Sequence, residues 1–216
     1  MQKPRLLVFA SGTPNSGGSG ARNLVLAARS GILEAEIVGF VSNHADGGVA
    51  RHAEEMGIPF LHMPQPWSAE HYQVVVDFFK PDFIALSGWL KPVLGLDQCT
   101  TFNIHPTPLP RFGGKGMYGK KAHAAVLEAY KRGEITHSAV TMHFVTEEYD
   151  RGPIFFEYQV PIYPDDTVET LAKRVNEAEH KWQPIVTDMV IHGQISWDGM
   201  NSVQGSLRHM GPDAVR

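Results

Sequence analysis

Short apolar runs alternate with amphipathic segments through the first half of the chain, and this alternation restricts the fold more than any other feature. The apolar runs are typical of buried strands and cover residues 5–11, 35–43, 59–63 and 82–88. The segments between them have helical periodicity and cover residues 21–31, 47–57 and 68–80. Strands buried on both faces and joined by helices form a parallel sheet with helices on both sides. The pattern therefore predicts an α/β fold whose ligands bind outside the carboxyl ends of the strands.

The second half of the chain has a different pattern. Two β-rich runs, 137–145 and 152–162, predict an antiparallel or mixed extension of the sheet. A long helix follows to about His192, with Asp166 and Glu169 as a capping box and with Pro184 expected to kink or interrupt it. We expect one domain over residues 1–198, followed by a polar tail over 199–216.

Composition excludes several classes of protein. The 216 residues carry a net charge of −4, which argues against nucleic acid as a partner. The single cysteine, Cys99, excludes an intramolecular disulfide and suits a reducing cytoplasm. The apolar run near the N-terminus is too short for a membrane span and lacks a signal-peptide cleavage pattern. The eleven histidines show no metal-binding spacing, so no metal is expected.

A glycine-rich loop, residues 11–24, joins the first predicted strand to its helix. Such a turn presents backbone N–H groups and a helix N-terminus to an anion. Gly18 stands where a P-loop needs lysine, and Asn23 stands where the dinucleotide fingerprint needs glycine. A single phosphate, held by Ser19, Gly20, Arg22 and Asn23, fits the loop better. The alternative is a flexible surface turn that binds no ligand.

The stretch FNIHPTPLP, residues 102–110, places an amide and an imidazole on one face of a strand. Asn103 and His105 are two residues apart, and Pro106 ends the strand at the rim of the sheet. An amide N–H₂ can stabilise an oxyanion, and a histidine can donate or accept a proton near neutral pH. Asp150, between the two late β-rich runs, could orient the histidine and favour its protonated form. The alternative is that all three are ordinary strand-end and turn residues.

Three motifs, FNIHPTPLP, HFVTEEYDRGPI and ALSGWLKPV, resemble those of the folate-dependent formyltransferases. The similarity is greatest to the branch that formylates glycinamide ribonucleotide in purine synthesis, and it runs from residue 5 to about residue 198. The resemblance implies a Rossmann-like formyltransferase fold, with a substrate-binding first half and a folate-binding, catalytic second half. It implies direct transfer of a formyl group from 10-formyltetrahydrofolate to the substrate amine through a tetrahedral intermediate.

The resemblance also assigns residues. It makes Asn103, His105 and Asp150 the catalytic trio, and it places Glu179 at the ribosyl hydroxyls of the substrate. It implies a folate pocket with two walls, formed by Trp89, Leu90, Lys91, Pro92 and Val93 on one side and by Thr146, Glu147, Glu148 and Tyr149 on the other. The glycine loop is longer than is usual in the family, and the functions of residues 12–20 and 111–121 are not assigned. The implied partners are small molecules, and the protein is expected to be a cytoplasmic monomer or homodimer.

Other functions share part of this pattern. A formyltransferase acting on an amino-sugar nucleotide would keep the same trio. A transferase acting on methionyl-tRNA would carry a basic nucleic-acid-binding domain, and a formyl-folate hydrolase would carry an additional N-terminal domain. A non-catalytic module that binds a phosphosugar or a folate would not need all three catalytic residues.

Overall fold

Strands and helices alternate along residues 2–211, the part of the chain that this computed structural model describes. The strands are β1 (Arg5–Phe9), β2 (Glu36–Ser42), β3 (Phe60–His62), β4 (Phe83–Ser87), β5 (Thr101–His105), β6 (His137–Phe144), β7 (Ile154–Pro161) and β8 (Leu207–Met210). The helices are α1 (Ser19–Ser30), α2 (Gly48–Met56), α3 (Ala69–Phe79), α4 (Gly119–Lys131) and α5 (Val168–Ile191).

The strands form one sheet in the order β3-β2-β1-β4-β5-β6-β7-β8. Strands β1 to β5 are parallel, β6 runs antiparallel to β5, and β7 runs antiparallel to β6. The predicted parallel sheet with an antiparallel or mixed extension is therefore confirmed. The strand order switches between β1 and β4: β2 and β3 are added on one side of β1, and β4 and β5 are added on the other. Open α/β sheets bind ligands at such a switch point.

Helices cover both faces of the sheet, as predicted, but they are unequally divided. In β1, Leu6 and Val8 pack into a core that includes residues of α1, α2, α4 and α5. Leu7 and Phe9 point to the other face and pack against α3. This alternation follows from the two-residue period of a strand. Among the described helices, α3 alone covers the face that holds Leu7 and Phe9, and the loop after β4 is anchored on that face.

Helix α5 differs from the prediction at its N-terminus. It begins with a capping box formed by Thr167 and Thr170, while Asp166 pairs with Arg174 at 2.7 Å instead of capping the helix. It also continues past Pro184, so the proline does not interrupt the helix, and the kink that was the other expected outcome stays a prediction. A proline leaves the carbonyl four residues earlier without its helical donor. Here that carbonyl belongs to His180, and it accepts a hydrogen bond from Asn23 Nδ2 at 2.6 Å.

Two elements were missed by the sequence analysis. Helix α4 follows the glycine-rich segment after β5, where no element was predicted. Strand β8 lies within the predicted polar tail, pairs in parallel with β7, and packs Leu207 and Met210 against the core. The tail prediction is therefore wrong for residues 207–210, and residues 212–216 lie outside the described part. Within residues 2–211, no helix combines the length and the apolar composition that crossing a membrane requires.

Candidate active site

A cavity of about 700 Å³ lies at the carboxyl ends of β1, β4 and β5. The glycine-rich loop after β1 forms one wall, the loop after β4 (residues 88–93, here the β4 loop) forms another, and α5 closes a third side. Asn103, His105 and Asp150 all line this cavity. The topology therefore brings the three predicted catalytic residues together at one place, although they are separated by up to 47 positions in the sequence.

Asn103 has a neighbour that the sequence analysis did not identify, His143 on the adjacent strand. The two residues are opposite each other in the β5–β6 register, and Asn103 Nδ2 lies 3.1 Å from His143 Nε2. His143 Nδ1 donates to the carbonyl of Phe144 at 2.8 Å, so Nε2 of the neutral ring accepts from the asparagine. One N–H of the Asn103 amide is thereby engaged, and the second has no partner within residues 2–211 and can bind a ligand.

His105 is held by hydrogen bonding to one ring nitrogen. Its Nε2 lies 3.0 Å from the carbonyl of Phe112 and must carry the proton, since a carbonyl only accepts. In the neutral ring Nδ1 is then unprotonated, and it lies 3.7 Å from Asp150 Oδ2. Burial lowers the pKa of His105, and the opposing influence of Asp150 and of the Phe112 carbonyl does not offset it. The resting imidazole is therefore neutral: Asp150 favours its charged form, as expected, but burial outweighs that influence.

Asp150 connects both histidines. Its carboxylate lies 3.5 Å from His143 Nε2 and accepts a hydrogen bond from the Gly114 N–H at 2.8 Å. Burial alone would raise the pKa of Asp150, but the neighbouring His143 and His105 rings and the Gly114 N–H lower it to about 2. The backbone of Asp150 is left-handed, with φ of 54°, which aspartate tolerates better than most residues. A neutral histidine thus faces a carboxylate that stays charged at neutral pH.

Asn103 and His105 are more deeply buried than the predicted position at the rim of the sheet would make them. Asn103 and His105 are only 9% and 5% exposed. The segment 111–121, to which the sequence assigned no function, covers them and supplies both the Phe112 carbonyl and the Gly114 N–H. The backbone of this segment is thus part of the hydrogen-bonded network around the three predicted catalytic residues, and no side-chain pattern could have revealed it.

The glycine loop presents its backbone to the cavity. Gly18, at the N-cap of α1, is left-handed with φ of 85°, and no side chain caps the helix. Among the described residues, the N–H groups of Ser19, Gly20 and Ala21 have no backbone acceptor. Three such N–H groups at a helix N-terminus can bind an anion.

The four predicted phosphate residues separate into two pairs. Ser19 and Gly20 line the cavity. Arg22 is exposed, its N–H bonds to the Gly18 carbonyl, and it does not line the cavity. Asn23 points its amide at the His180 carbonyl instead. The structure therefore brings Ser19 and Gly20 to the site, and it leaves Arg22 and Asn23 outside the cavity.

Helix α5 contributes two titratable side chains to the cavity. Burial raises the pKa of Glu179 to about 7, against the lowering effect of a contact from Asn176 at 3.5 Å. The neighbouring His180 places Nε2 3.2 Å from Ser19 Oγ, so it links α5 to the first residue of α1. His180 was not predicted; its position next to Glu179 in the sequence is the signal that could have indicated it.

The two predicted walls of the folate pocket face each other. A small cavity of about 40 Å³ lies between them, next to Asn103 and His143. It is lined by Trp89, Lys91, Val93, Thr146, Glu147, Glu148 and Tyr149. Leu90 lines the larger cavity, whereas Pro92 lines neither and points its carbonyl at Tyr72. Eight of the nine predicted residues are thus placed at the two cavities. Within the described residues, no group of three His, Cys, Asp or Glu could hold a metal ion.

Comparison with known proteins identifies the family of this chain. The model of the formyl transferase family matches residues 4–187. The chain is 37% identical to the chloroplastic phosphoribosylglycinamide formyltransferase of Arabidopsis thaliana, covering 94% of this chain and 71% of that protein. It is 36% identical to part of the trifunctional purine biosynthetic protein adenosine-3 of Gallus gallus, covering 89% of this chain and 19% of that protein.

A comparison with solved structures supports the same family. The fold matches the phosphoribosylglycinamide formyltransferase of Anaplasma phagocytophilum with a TM-score of 0.76 and 28% identity, over 94% of both chains. The family match spans most of the chain and includes strands β1 to β7 and every residue that lines the large cavity. This chain is a member of the formyl transferase family.

Proposed function

We propose that this protein transfers a formyl group from 10-formyltetrahydrofolate to the amine of N1-(5-phospho-D-ribosyl)glycinamide in purine biosynthesis. One observation carries the proposal: the buried network of Asn103, His143, Asp150 and His105 opens on the same cavity as the unpaired N–H groups of the glycine loop. The names of the relatives in Arabidopsis and Gallus support this choice of acceptor.

The network supplies the two groups that acyl transfer to an amine needs. The second N–H of Asn103 stabilises negative charge that develops on the formyl oxygen, and His143 holds the amide in the orientation that this requires. His105 accepts the proton of the attacking amine at Nδ1, because Nε2 already carries a proton. The carboxylate of Asp150 then stabilises the imidazolium. When the tetrahedral intermediate collapses, the imidazolium returns the proton to the nitrogen of the donor as the bond between that nitrogen and the formyl carbon breaks, and tetrahydrofolate is released.

We assign the formyl donor to the space between the β4 loop and residues 146–149. The donor supplies an activated formyl carbon; the chain supplies binding and orientation. The larger cavity has the volume for such a ligand, and the aromatic and polar side chains that line its continuation between these two walls suit a flat heterocycle with amide-like edges. Trp89 and Tyr149 line both cavities, so they mark the passage between the two ligands.

We assign the phosphate of the acceptor to the N-terminus of α1. Ser19 and Gly20 supply N–H groups there, and Glu179 lies on the opposite wall, where it can accept hydrogen bonds from ribosyl hydroxyls. Such hydrogen bonds favour the charged carboxylate and would lower the raised pKa of Glu179 when the substrate binds. Arg22 and Asn23 act on this site from outside the cavity, through charge and through the anchoring of α5.

The decisive experiment is a transfer assay with purified protein, 10-formyltetrahydrofolate and the ribonucleotide, in which both products are quantified. The proposal expects formylated ribonucleotide and tetrahydrofolate in equal amounts. Formylation of an amino-sugar nucleotide in its place would assign the enzyme to a different acceptor, and tight binding of both ligands without turnover would indicate a binding module. We further propose a cytoplasmic monomer or homodimer, which fractionation and sedimentation would test.

A further inference from the structure

The β4 loop contains no helix or strand, yet it is anchored at several points. At its beginning, the N–H of Ser11 donates to the Gly88 carbonyl at 3.0 Å, and Ser11 Oγ accepts from the Leu90 N–H at 3.0 Å. Further along, one side chain from α3 contacts the loop twice, and that residue is Tyr72.

The hydroxyl of Tyr72 joins two residues of the loop. It donates to the Pro92 carbonyl at 2.6 Å and accepts from the Trp89 indole N–H at 2.8 Å. These roles are unambiguous, since a carbonyl cannot donate and an indole N–H cannot accept. One buried oxygen therefore fixes the spacing between positions 89 and 92, and the residues between them face outward towards the cavities.

The ring of Tyr72 is held independently of its hydroxyl. It is fully buried and lies 5.7 Å from the ring of Phe9, which also packs edge-on against Trp89 at 5.3 Å. Burial raises the pKa of the phenol well above its usual range, so the hydroxyl can donate throughout the physiological pH range. Replacing tyrosine with phenylalanine would keep the core filled and would remove only the two hydrogen bonds.

We propose that Tyr72 is a positioning residue for the formyl donor: its hydroxyl holds Trp89 and Pro92 so that the β4 loop forms one wall of the folate pocket. This inference rests on the proposed function, which assigns that loop to the donor. Tyr72 lines neither of the two cavities at the site and so acts through the loop.

The test is the Tyr72→Phe variant in steady-state kinetics with both substrates. Loss of two buried hydrogen bonds should raise the KM for 10-formyltetrahydrofolate about threefold to thirtyfold, with kcat and the KM for the ribonucleotide changed less than about twofold. Trp89→Phe should act in the same direction, because it removes one of the same bonds, and the double variant should be scarcely worse than the worse single variant.

Hydrogen exchange in the absence of ligands gives an independent measurement. The amides of residues 89–91 and 93 should exchange faster in Tyr72→Phe than in the wild type, while β1 and β4 stay protected. Tyr158→Phe is the matched control, because Tyr158 packs on Trp182 and lines neither cavity at the site. It should change neither the exchange of the loop nor either KM.

The outcomes separate this inference from the proposed function. If the wild type binds no folate, the proposed function and this inference both fail. If the wild type binds and transfers normally but Tyr72→Phe has an unchanged folate KM, this inference alone is wrong. Equal increases in both KM values, matched by Tyr158→Phe, would show a general structural effect and would also overturn it.

Discussion

The catalytic network and the glycine loop face each other across one cavity but are built in opposite ways. In the network, buried side chains do the work: Asn103, His105 and Asp150 are joined through His143 and covered by residues 111–121. In the glycine loop, backbone N–H groups face the cavity. Arg22, the charged side chain expected to bind the phosphate, is exposed. The comparison teaches that one side of the site depends on side-chain chemistry and the other on backbone conformation.

Substitutions in the network should lower kcat more than any other substitutions considered below. Asn103→Ala removes a candidate oxyanion donor, which typically lowers kcat by a factor of about 10² to 10³. His105→Ala should lose at least as much, because it removes the proton acceptor at Nδ1. Asp150→Asn should also lower kcat, and because it removes the charge that raises the pKa of His105, the acid limb of the pH–rate profile should move to lower pH.

A double-mutant cycle tests whether these residues act as one unit. The loss in His105→Ala with Asp150→Asn should hardly exceed the loss in the worse single variant. Thermal melts followed by circular dichroism are the necessary control, because truncation of a buried hydrogen-bonded group costs about 1–3 kcal/mol of stability. Fully additive losses in kcat would show that the histidine and the aspartate work independently.

The same difference explains what the sequence could and could not predict. The strand–helix alternation and Pro106 were sufficient to place Asn103 and His105 at the carboxyl end of β5. They could not place His143, because its role depends on the register between β5 and β6. The backbone groups of Phe112 and Gly114 carry no side-chain signal at all, so their contacts with His105 and Asp150 become visible only in the folded chain.

The glycine loop shows the converse limitation. Its composition correctly indicated a helix N-terminus at the cavity, but residue type alone led to the inclusion of Arg22 and Asn23. The direction of a side chain on the first turn of a helix is decided by packing. Asn23 turns towards α5 because Pro184 leaves the His180 carbonyl without a helical donor. That relation spans 157 positions and no local pattern contains it.

A second prediction concerns the loss of stability in acid, which should arise from a buried histidine close to the network. His123 in α4 is 6% exposed, and its Nδ1 has no hydrogen-bond partner in the part of the chain that the structure describes. Burial, and to a smaller extent the nearby His105, lowers its pKa from 6.5 to about 4. Between these values the unfolded chain binds a proton that the folded chain does not. The free energy of unfolding should therefore decrease as the pH falls from 6.5 to 4, by up to about 3 kcal/mol.

Denaturant unfolding at pH 7 and pH 5 measures this effect. A His123→Phe variant should lose part of the pH dependence, since phenylalanine has no proton to gain. An identical slope in the wild type and the His123→Phe variant would assign the acid sensitivity to other groups.

The third prediction tests the backbone side of the comparison. Gly18 adopts φ of 85°, and a Cβ there would lie 2.8 Å from Val49 Cγ2. Gly18→Ala should therefore distort the N-terminus of α1 and weaken binding of a phosphate-containing ligand about tenfold, since a left-handed alanine costs about 1–2 kcal/mol. The KM for the folate should change much less.

Gly31 provides a matched control at the other end of the same helix. It has a similar φ of 81°, but a Cβ there would meet nothing within 4 Å, and it lies away from the cavity. Gly31→Ala should cost comparable stability and leave the KM for the ribonucleotide unchanged. If both variants raised that KM equally, the effect would come from a weakened helix rather than from the anion site.

Arg22→Ala should have the smallest effect on the KM for the ribonucleotide, although phosphate sites often use arginine. Its side chain is exposed and outside the cavity, so its charge reaches a bound phosphate only through solvent and counterions. Removing it should change the KM for the ribonucleotide by less than about twofold at 0.15 M salt, with a slightly larger effect at low salt. Equilibrium titrations at two ionic strengths would measure this difference. An increase in KM as large as that of Gly18→Ala, independent of salt, would mean that Arg22 contacts the phosphate directly, and the division between a side-chain half and a backbone half of the site would then be wrong.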